Sequence, residues 1–234
     1  MNIKEKIIVA LDFDRYDDAR HMVERLPEAV FFKVGLQAFL KYGIEIITYL
    51  KNRKKKLFLD LKFKDIPSTV YGAVKSSLQY FPDFLTIHLS GGAEMIGKAV
   101  EAAANAPYLT ILGVTVLTSL SDEDLKETGT ALSTGEAVLK LCELGLAKGI
   151  RGFVCSPLEI ASIRRRFGRD VVLVTPGIRP QRAVKGDQKR VFTPKMAVEA
   201  GSNYLVIGRP ITEAENPSEA YDRILEEIRE SRNR

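Results

Sequence analysis

Eight short apolar runs recur along this chain, and each is followed by a stretch of helical period. The runs are 7–12 (I-I-V-A-L-D), 31–34 (F-F-K-V), 57–62 (L-F-L-D-L-K), 84–89 (F-L-T-I-H-L), 109–116 (L-T-I-L-G-V-T-V), 152–155 (G-F-V-C), 171–175 (V-V-L-V-T) and 203–208 (N-Y-L-V-I-G). Periodicity predicts helices over 15–26, 36–53, 67–80, 93–105, 134–148, 157–167, 193–200 and 217–231. Strand and helix in strict alternation imply parallel strands joined by right-handed crossovers. Eight such units in 234 residues fit an α/β fold of the (β/α)8 TIM-barrel type. A doubly wound open sheet is the alternative that the pattern leaves. No composition break or low-complexity linker divides the chain, so residues 1–234 read as a single (β/α)8 barrel catalytic domain. The segment 117–133, rich in Ser, Asp, Glu, Thr and Gly, is the longest insertion before a main helix.

Composition narrows the function classes. No apolar run approaches the ~18 residues that a membrane span requires, and the N-terminal segment M-N-I-K-E-K runs directly into the first strand pattern, so neither a signal peptide nor an anchor is expected. Cys142 and Cys155 form no metal-spaced cluster and no disulfide framework, which fits a reducing cytoplasm. The net charge of +5 is spread among 30 acidic residues, and the runs Lys54-Lys55-Lys56 and Arg164-Arg165-Arg166 are short enough to be solvated faces. A nucleic-acid partner is therefore not expected; a positive bias instead helps to attract a small anion.

In a barrel of this kind the active site is built at the C-terminal ends of the strands. Position along each strand is then informative. The first run ends in Asp12, the second carries Lys33, and the third ends in Asp60 and Lys62, with Asp65 close behind. Strand alternation puts Phe58, Asp60 and Lys62 on one side and Leu57, Leu59 and Leu61 on the other. Desolvating such a carboxylate and ammonium costs several kcal/mol per ion before their attraction is counted, which is a costly way to add stability alone. Each residue singly could be a rim salt bridge or a helix cap. Together, two ammoniums among carboxylates favour one another's charged forms. Lys62 can then deliver a proton, while Asp60 and Asp65 press on any anionic group set against them. That arrangement suits loss of an anionic group followed by protonation of the carbon left behind, which is decarboxylation.

The other end of a substrate is suggested by the loops after strands seven and eight, where these barrels commonly bind phosphate. The first reads T-P-G-I-R-P-Q-R-A-V-K-G-D-Q-K-R over 175–190 and the second G-R-P-I over 208–211. Arg179 and Arg209 supply forked cations, and Gly208 permits close backbone approach. The polar stretch 180–190 could close over a ligand and exclude water.

With these residues placed, the chain resembles the orotidine 5'-phosphate decarboxylase family, bacterial type, from its first strand to its last. The most specific piece is D-L-K-F-K-D-I-P-S-T, Asp60 to Thr69, which fits the family's Asp-x-Lys-x-x-Asp-Ile-Pro signature. The resemblance implies that Lys62 is the proton donor to C6 of the pyrimidine and that Lys33, Asp60, Lys62 and Asp65 form an alternating charge network. It implies a substrate-binding segment made of Asp60, Leu61, Lys62, Phe63, Lys64, Asp65, Ile66, Pro67, Ser68 and Thr69. It also implies ribose contacts from Asp12 and Lys33, a base contact from Thr118, and a phosphate grip from Arg179, Gln188, Gly208 and Arg209. Ser68, where many relatives carry Thr, is a mild departure. The implied partners are orotidine 5'-phosphate and UMP, within a homodimer in which Asp65, Ile66 and Thr69 complete the neighbour's site. No metal and no organic cofactor is expected. His88 fits the fourth-strand pattern and is read as a packed rim histidine without a proton-transfer role.

Two rivals frame this reading. A magnesium-dependent sugar-phosphate lyase of the same superfamily resembles the D-x-K-x-x-D pattern, but the D-I-P continuation and the P-G-I-R-P to G-D-Q-K-R stretch stand against it. A non-catalytic UMP-binding barrel is opposed by the intact Asp60 and Lys62.

Overall fold

The computed structural model describes residues 2–180 and 192–231. Eight strands alternate with helices, each strand pairing in parallel with its neighbour in sequence order, and the sheet closes on itself as a barrel. The strands are β1 (Ile7–Ala10), β2 (Phe31–Gly35), β3 (Lys56–Phe63), β4 (Phe84–His88), β5 (Thr110–Val114), β6 (Gly152–Val154), β7 (Val172–Thr175) and β8 (Tyr204–Ile207). The helices are α1 (Tyr16–Arg25), α2 (Leu36–Asn52), α3 (Pro67–Ser77), α4 (Ala93–Ala103), α5 (Asp122–Glu127), α6 (Thr134–Ala147), α7 (Ile160–Phe167), α8 (Pro194–Ala200), α9 (Arg209–Thr212) and α10 (Pro217–Glu230). All eight predicted strands are present, and the open-sheet alternative is excluded by the pairing of β1 with β8, Ile8 opposite Val206.

Contacts divide the chain into two compact units, Met1–Asp60 with Thr175–Arg234, and Leu61–Val174. In the first, β1 is flanked by β2 and β8, and its four residues are all buried, as expected for a parallel strand covered on both faces. Helix α10 begins at the Asn216 cap, whose side chain accepts from the Glu219 amide, with Pro217 at the first helical position. Its Tyr221 is buried and donates its hydroxyl to the Lys4 carbonyl, which ties the C-terminal helix to the start of the chain.

In the second unit β4, β5, β6 and β7 pair in series, and α3 packs on α4. Pro67 opens α3, and Ile66 before it is extended (ψ 152°), the conformation that a residue preceding proline prefers. D-I-P is thus a strand-to-helix corner. The insertion 117–133 contains a helix the periodicity did not signal, α5, started by a capping box in which Ser121 and Asp124 satisfy each other's backbone amides. Six residues are too few to show a helical period, but S-D-E-D was a readable start signal. The second unpredicted helix, α9, is a single turn.

Candidate active site

Three charged residues converge in the first unit. The register pairs Ala10 with Lys33 and Gly35 with Asp60, so the end of β1 lies level with the middle of β2, and the end of β2 lies level with Asp60 inside β3. From β2 the Lys33 ammonium donates to Asp12 Oδ1 at 3.0 Å and stands 3.5 Å from Asp60 Oδ2. Lys33 and Asp60 are both buried, whereas the Asp12 side chain is 61% exposed. A buried ammonium between two carboxylates is the arrangement in which Coulomb attraction can offset desolvation.

Two neighbours that the sequence reading did not single out shape this cluster. A Cβ added at Gly35 would lie 2.9 Å from Lys33 Nζ and 3.1 Å from Asp12 Oδ1, so the cluster occupies space that only glycine leaves. Tyr42 sits at a break in α2, with φ −154°, and its hydroxyl donates to the Phe13 carbonyl at 2.7 Å, fixing the chain beside Asp12. Burial, and then the Asp12 charge, push the Tyr42 hydroxyl up to about 12, so it stays a neutral donor. Gly35 was legible only as a strand ending in glycine, and Tyr42 only as one more apolar helical position.

Lys62 belongs to the second unit. Its φ is +50°, left-handed rather than extended, and its backbone N–H donates to the Thr86 hydroxyl on β4 at 2.9 Å. A left-handed residue in a strand bends the chain and re-aims the side chain, as at a β-bulge. Leu61 is buried, Lys62 and Phe63 are half-buried, and Lys64, Asp65, Ile66, Ser68 and Thr69 are exposed around half-buried Pro67. Asp65 accepts from the Ile66 amide at 2.6 Å and forms no ion pair among the described residues. Thr118 is exposed in the turn after β5, and His88 is half-buried at the end of β4.

The expected phosphate residues lie in the first unit. Arg179 is exposed and its backbone amide donates to the Phe192 carbonyl at 3.1 Å. Gly208 caps α9, where a Cβ would lie 3.4 Å from Ala10 Cβ, and Arg209 is exposed at the first position of that helix. Gln188, and the stretch 180–190 beyond Pro180, lie outside the described residues. Among the described residues no group of His, Cys, Asp and Glu is arranged to hold a metal ion, and no helix is long and apolar enough to cross a membrane. Cys142 and Cys155 are buried, and neither is in a disulfide among the described residues.

A closed barrel of eight strands, with a paired lysine and aspartates on β2, on β3 and just after β1, defines a (β/α)8 enzyme of the TIM-barrel class. The family model of the Orotidine 5'-phosphate decarboxylase / HUMPS family matches residues 5–224, and the chain belongs to this family. The orotidine 5'-phosphate decarboxylase of Gloeothece citriformis is 42% identical over 230 residues, covering 97% of this chain and 99% of that protein. That of Haemophilus influenzae is 45% identical over 219 residues, covering 92% and 94%. The crystal structure of orotidine 5'-phosphate decarboxylase from Lactobacillus acidophilus superposes with a TM-score of 0.85 at 39% identity, covering 96% of this chain and 99% of that one.

Proposed function

We propose that the chain, working over 1–234 as one catalytic domain in the cytoplasm, decarboxylates orotidine 5'-phosphate to UMP and carbon dioxide in pyrimidine nucleotide synthesis, with Lys62 as the proton donor. The observation that carries the reading is the buried Lys33–Asp60 pair, 3.5 Å apart, in which Asp60 stands two residues before Lys62 in a chain matched to the family over residues 5–224. Full-length similarity to proteins named orotidine 5'-phosphate decarboxylase supports the substrate.

In this reading Arg179, Gln188, Gly208 and Arg209 hold the phosphate, Asp12 and Lys33 hold the ribose, and Thr118 meets the base. These contacts are remote from the bond that breaks. Their binding energy holds the substrate carboxylate against the Asp60 side of the charge network, an unfavourable placement that loss of carbon dioxide relieves. The C6–carboxylate bond cleaves with its electron pair left on C6, carbon dioxide departs, and the Lys62 ammonium stabilises the developing charge. Nζ–H of Lys62 then passes its proton to C6 to give UMP, and solvent reprotonates the amine. No step requires a metal or an organic cofactor.

The reading includes a homodimer in which Asp65, Ile66 and Thr69 serve the neighbouring site. Asp65 is exposed and forms no ion pair among the described residues, and Ile66 is 63% exposed, so both are available to a second copy.

The test is a continuous ultraviolet assay on orotidine 5'-phosphate. Wild type is expected to consume it, and Lys62→Ala to lose at least about 10³-fold in kcat, the scale of a positioned general acid. Undiminished turnover by Lys62→Ala would remove the proton-donor role. Activity abolished by a chelator and restored by magnesium would favour a sugar-phosphate lyase instead. Tight UMP binding without turnover would favour a non-catalytic nucleotide-binding barrel. Mixing Asp65→Asn chains with Lys62→Ala chains should restore part of the activity if Asp65 crosses between subunits; no recovery in verified mixed dimers would count against the crossing.

A further inference from the structure

The left-handed backbone at Lys62 is the unusual feature of this site. Beyond Lys62 only Lys54 and Phe81 among the described non-glycine residues have positive φ, and both of those are exposed. A lysine has no intrinsic preference for this region, since its Cβ crowds the backbone there, so its surroundings must impose it. The contact that accompanies the turn is specific. With Lys62 turned, its amide donates to Thr86 Oγ1, at 2.9 Å.

Thr86 is placed to hold that amide rigidly. It is the middle residue of β4, its Cα is in register with Leu112 of β5, and it is fully buried between Leu85 and Ile87, which are fully buried too. A β-branched side chain in that setting has little rotamer freedom, so the acceptor is fixed in place. The bland reading of a threonine in a strand is a good strand former that fills space. Valine would serve that purpose equally and would expose no hydroxyl to an apolar surround.

The geometry points to Thr86 as a positioning residue for the proton donor: its hydroxyl holds the Lys62 amide, stabilises the left-handed turn, and thereby sets the direction from which the Lys62 ammonium approaches the substrate. This rests on the proposed role of Lys62. Thr86 takes no part in proton transfer and need not touch the substrate.

The test compares Thr86→Val, Thr86→Ser and wild type. Loss of the hydroxyl in Thr86→Val frees the turn and misplaces the ammonium, while the remote phosphate and ribose contacts persist. The expected result for Thr86→Val is a fall in kcat on the order of 10²-fold with KM changed less than about 3-fold. Thr86→Ser, which keeps the acceptor, is expected to recover most of that loss. Wild-type kcat in Thr86→Val, a Thr86→Ser variant as impaired as Thr86→Val, or equal losses through KM would each overturn the positioning role. Should Thr86→Val fail to fold, amide hydrogen exchange of wild type decides: Lys62 N–H is expected to be strongly protected, and free exchange there overturns the inference. A wild-type chain inert toward orotidine 5'-phosphate overturns the functional reading instead, and the exchange measurement still reports whether Thr86 holds Lys62.

Discussion

Lys33 Nζ and Asp60 Oδ2 lie 3.5 Å apart, with side chains only 10% and 11% exposed, while the second carboxylate that Lys33 pairs with, that of Asp12, is 61% exposed. The two carboxylates therefore differ in what they lose with the lysine. Removing Lys33 takes away the ammonium that faces the buried Asp60 carboxylate at 3.5 Å, whereas Asp12 can be solvated by water. Lys33→Met is expected to lower stability by about 3 kcal/mol. Asp12→Asn is expected to cost under about 1 kcal/mol, the range of exposed pairs. Both variants are expected to lose activity. Chemical denaturation of the two variants beside wild type measures the difference, and equal costs would show that Asp60 finds another counter-charge.

Gly35 separates activity from stability in the opposite sense. Its φ is −85°, ordinary for any residue, so alanine introduces no backbone strain. What alanine introduces is a methyl 2.9 Å from Lys33 Nζ, the far end of a flexible side chain that can move away. Replacing glycine where the backbone is compatible stabilises by roughly 0.4–1 kcal/mol through the unfolded chain. Gly35→Ala is accordingly expected to leave the melting temperature unchanged or slightly raised while kcat/KM falls at least about 10-fold, since a displacement near 1 Å costs this much or more. Full activity in a normally folded Gly35→Ala would mean that the exact position of the Lys33 ammonium does not matter.

What the sequence made legible divides along physical lines. The eight strands, and Asp12, Lys33 and Asp60 as rim residues, were readable because parallel strands bury both faces and their apolar runs end where the charges begin. The left-handed backbone at Lys62 is a different matter, since the alternation rule presumes an extended strand and nothing in L-D-L-K-F announces a positive φ. Thr86 and Gly35 were invisible for a related reason. Their importance lies in contacts made across strands, Thr86 to Lys62 and Gly35 to Lys33 and Asp12, which local periodicity does not encode. Helix α5 was a different kind of omission, since its capping box stood in the sequence and only its shortness hid it.

Glu159 gives the second unit a pH-dependent stability. It is buried, and desolvation pushes its carboxyl up to about 7, against the opposing Ser156 amide that donates to Oε2 at 2.8 Å. A folded-state value above the unfolded 4.5 means that the native protein binds the extra proton between those limits. The stabilisation is thus fully present below about pH 4.5 and is lost as pH rises through about 7. Its upper bound is about 3 kcal/mol. Glu159→Gln keeps an acceptor for Ser156 and cannot ionise. Melting temperatures of this variant and wild type are expected to converge near pH 5 and to separate by several degrees at pH 8, the variant being the more stable. A constant difference across that range would show that Glu159 is charged throughout.

Helix α2 exposes Leu36 and Leu40, four residues apart before its break at Tyr42, at 56% and 75%, and Ile44 just after the break at 64%. Large apolar side chains exposed along one short segment mark an interaction surface more often than isolated ones do. In the proposed homodimer a second copy covers them. These residues start immediately after Gly35, so an interface here would bear directly on the segment that holds Lys33. Leu40→Glu combined with Ile44→Glu should leave the fold intact, because both positions are already solvated in the single chain, but should place two carboxylates where a partner's apolar surface has to seat. Sedimentation is expected to show monomers at concentrations where wild type is dimeric, with activity per chain reduced as the contribution of Asp65 from the neighbour is lost. Dimers of undiminished stability would move the interface away from α2, and monomers of full activity would mean that each chain completes its own site.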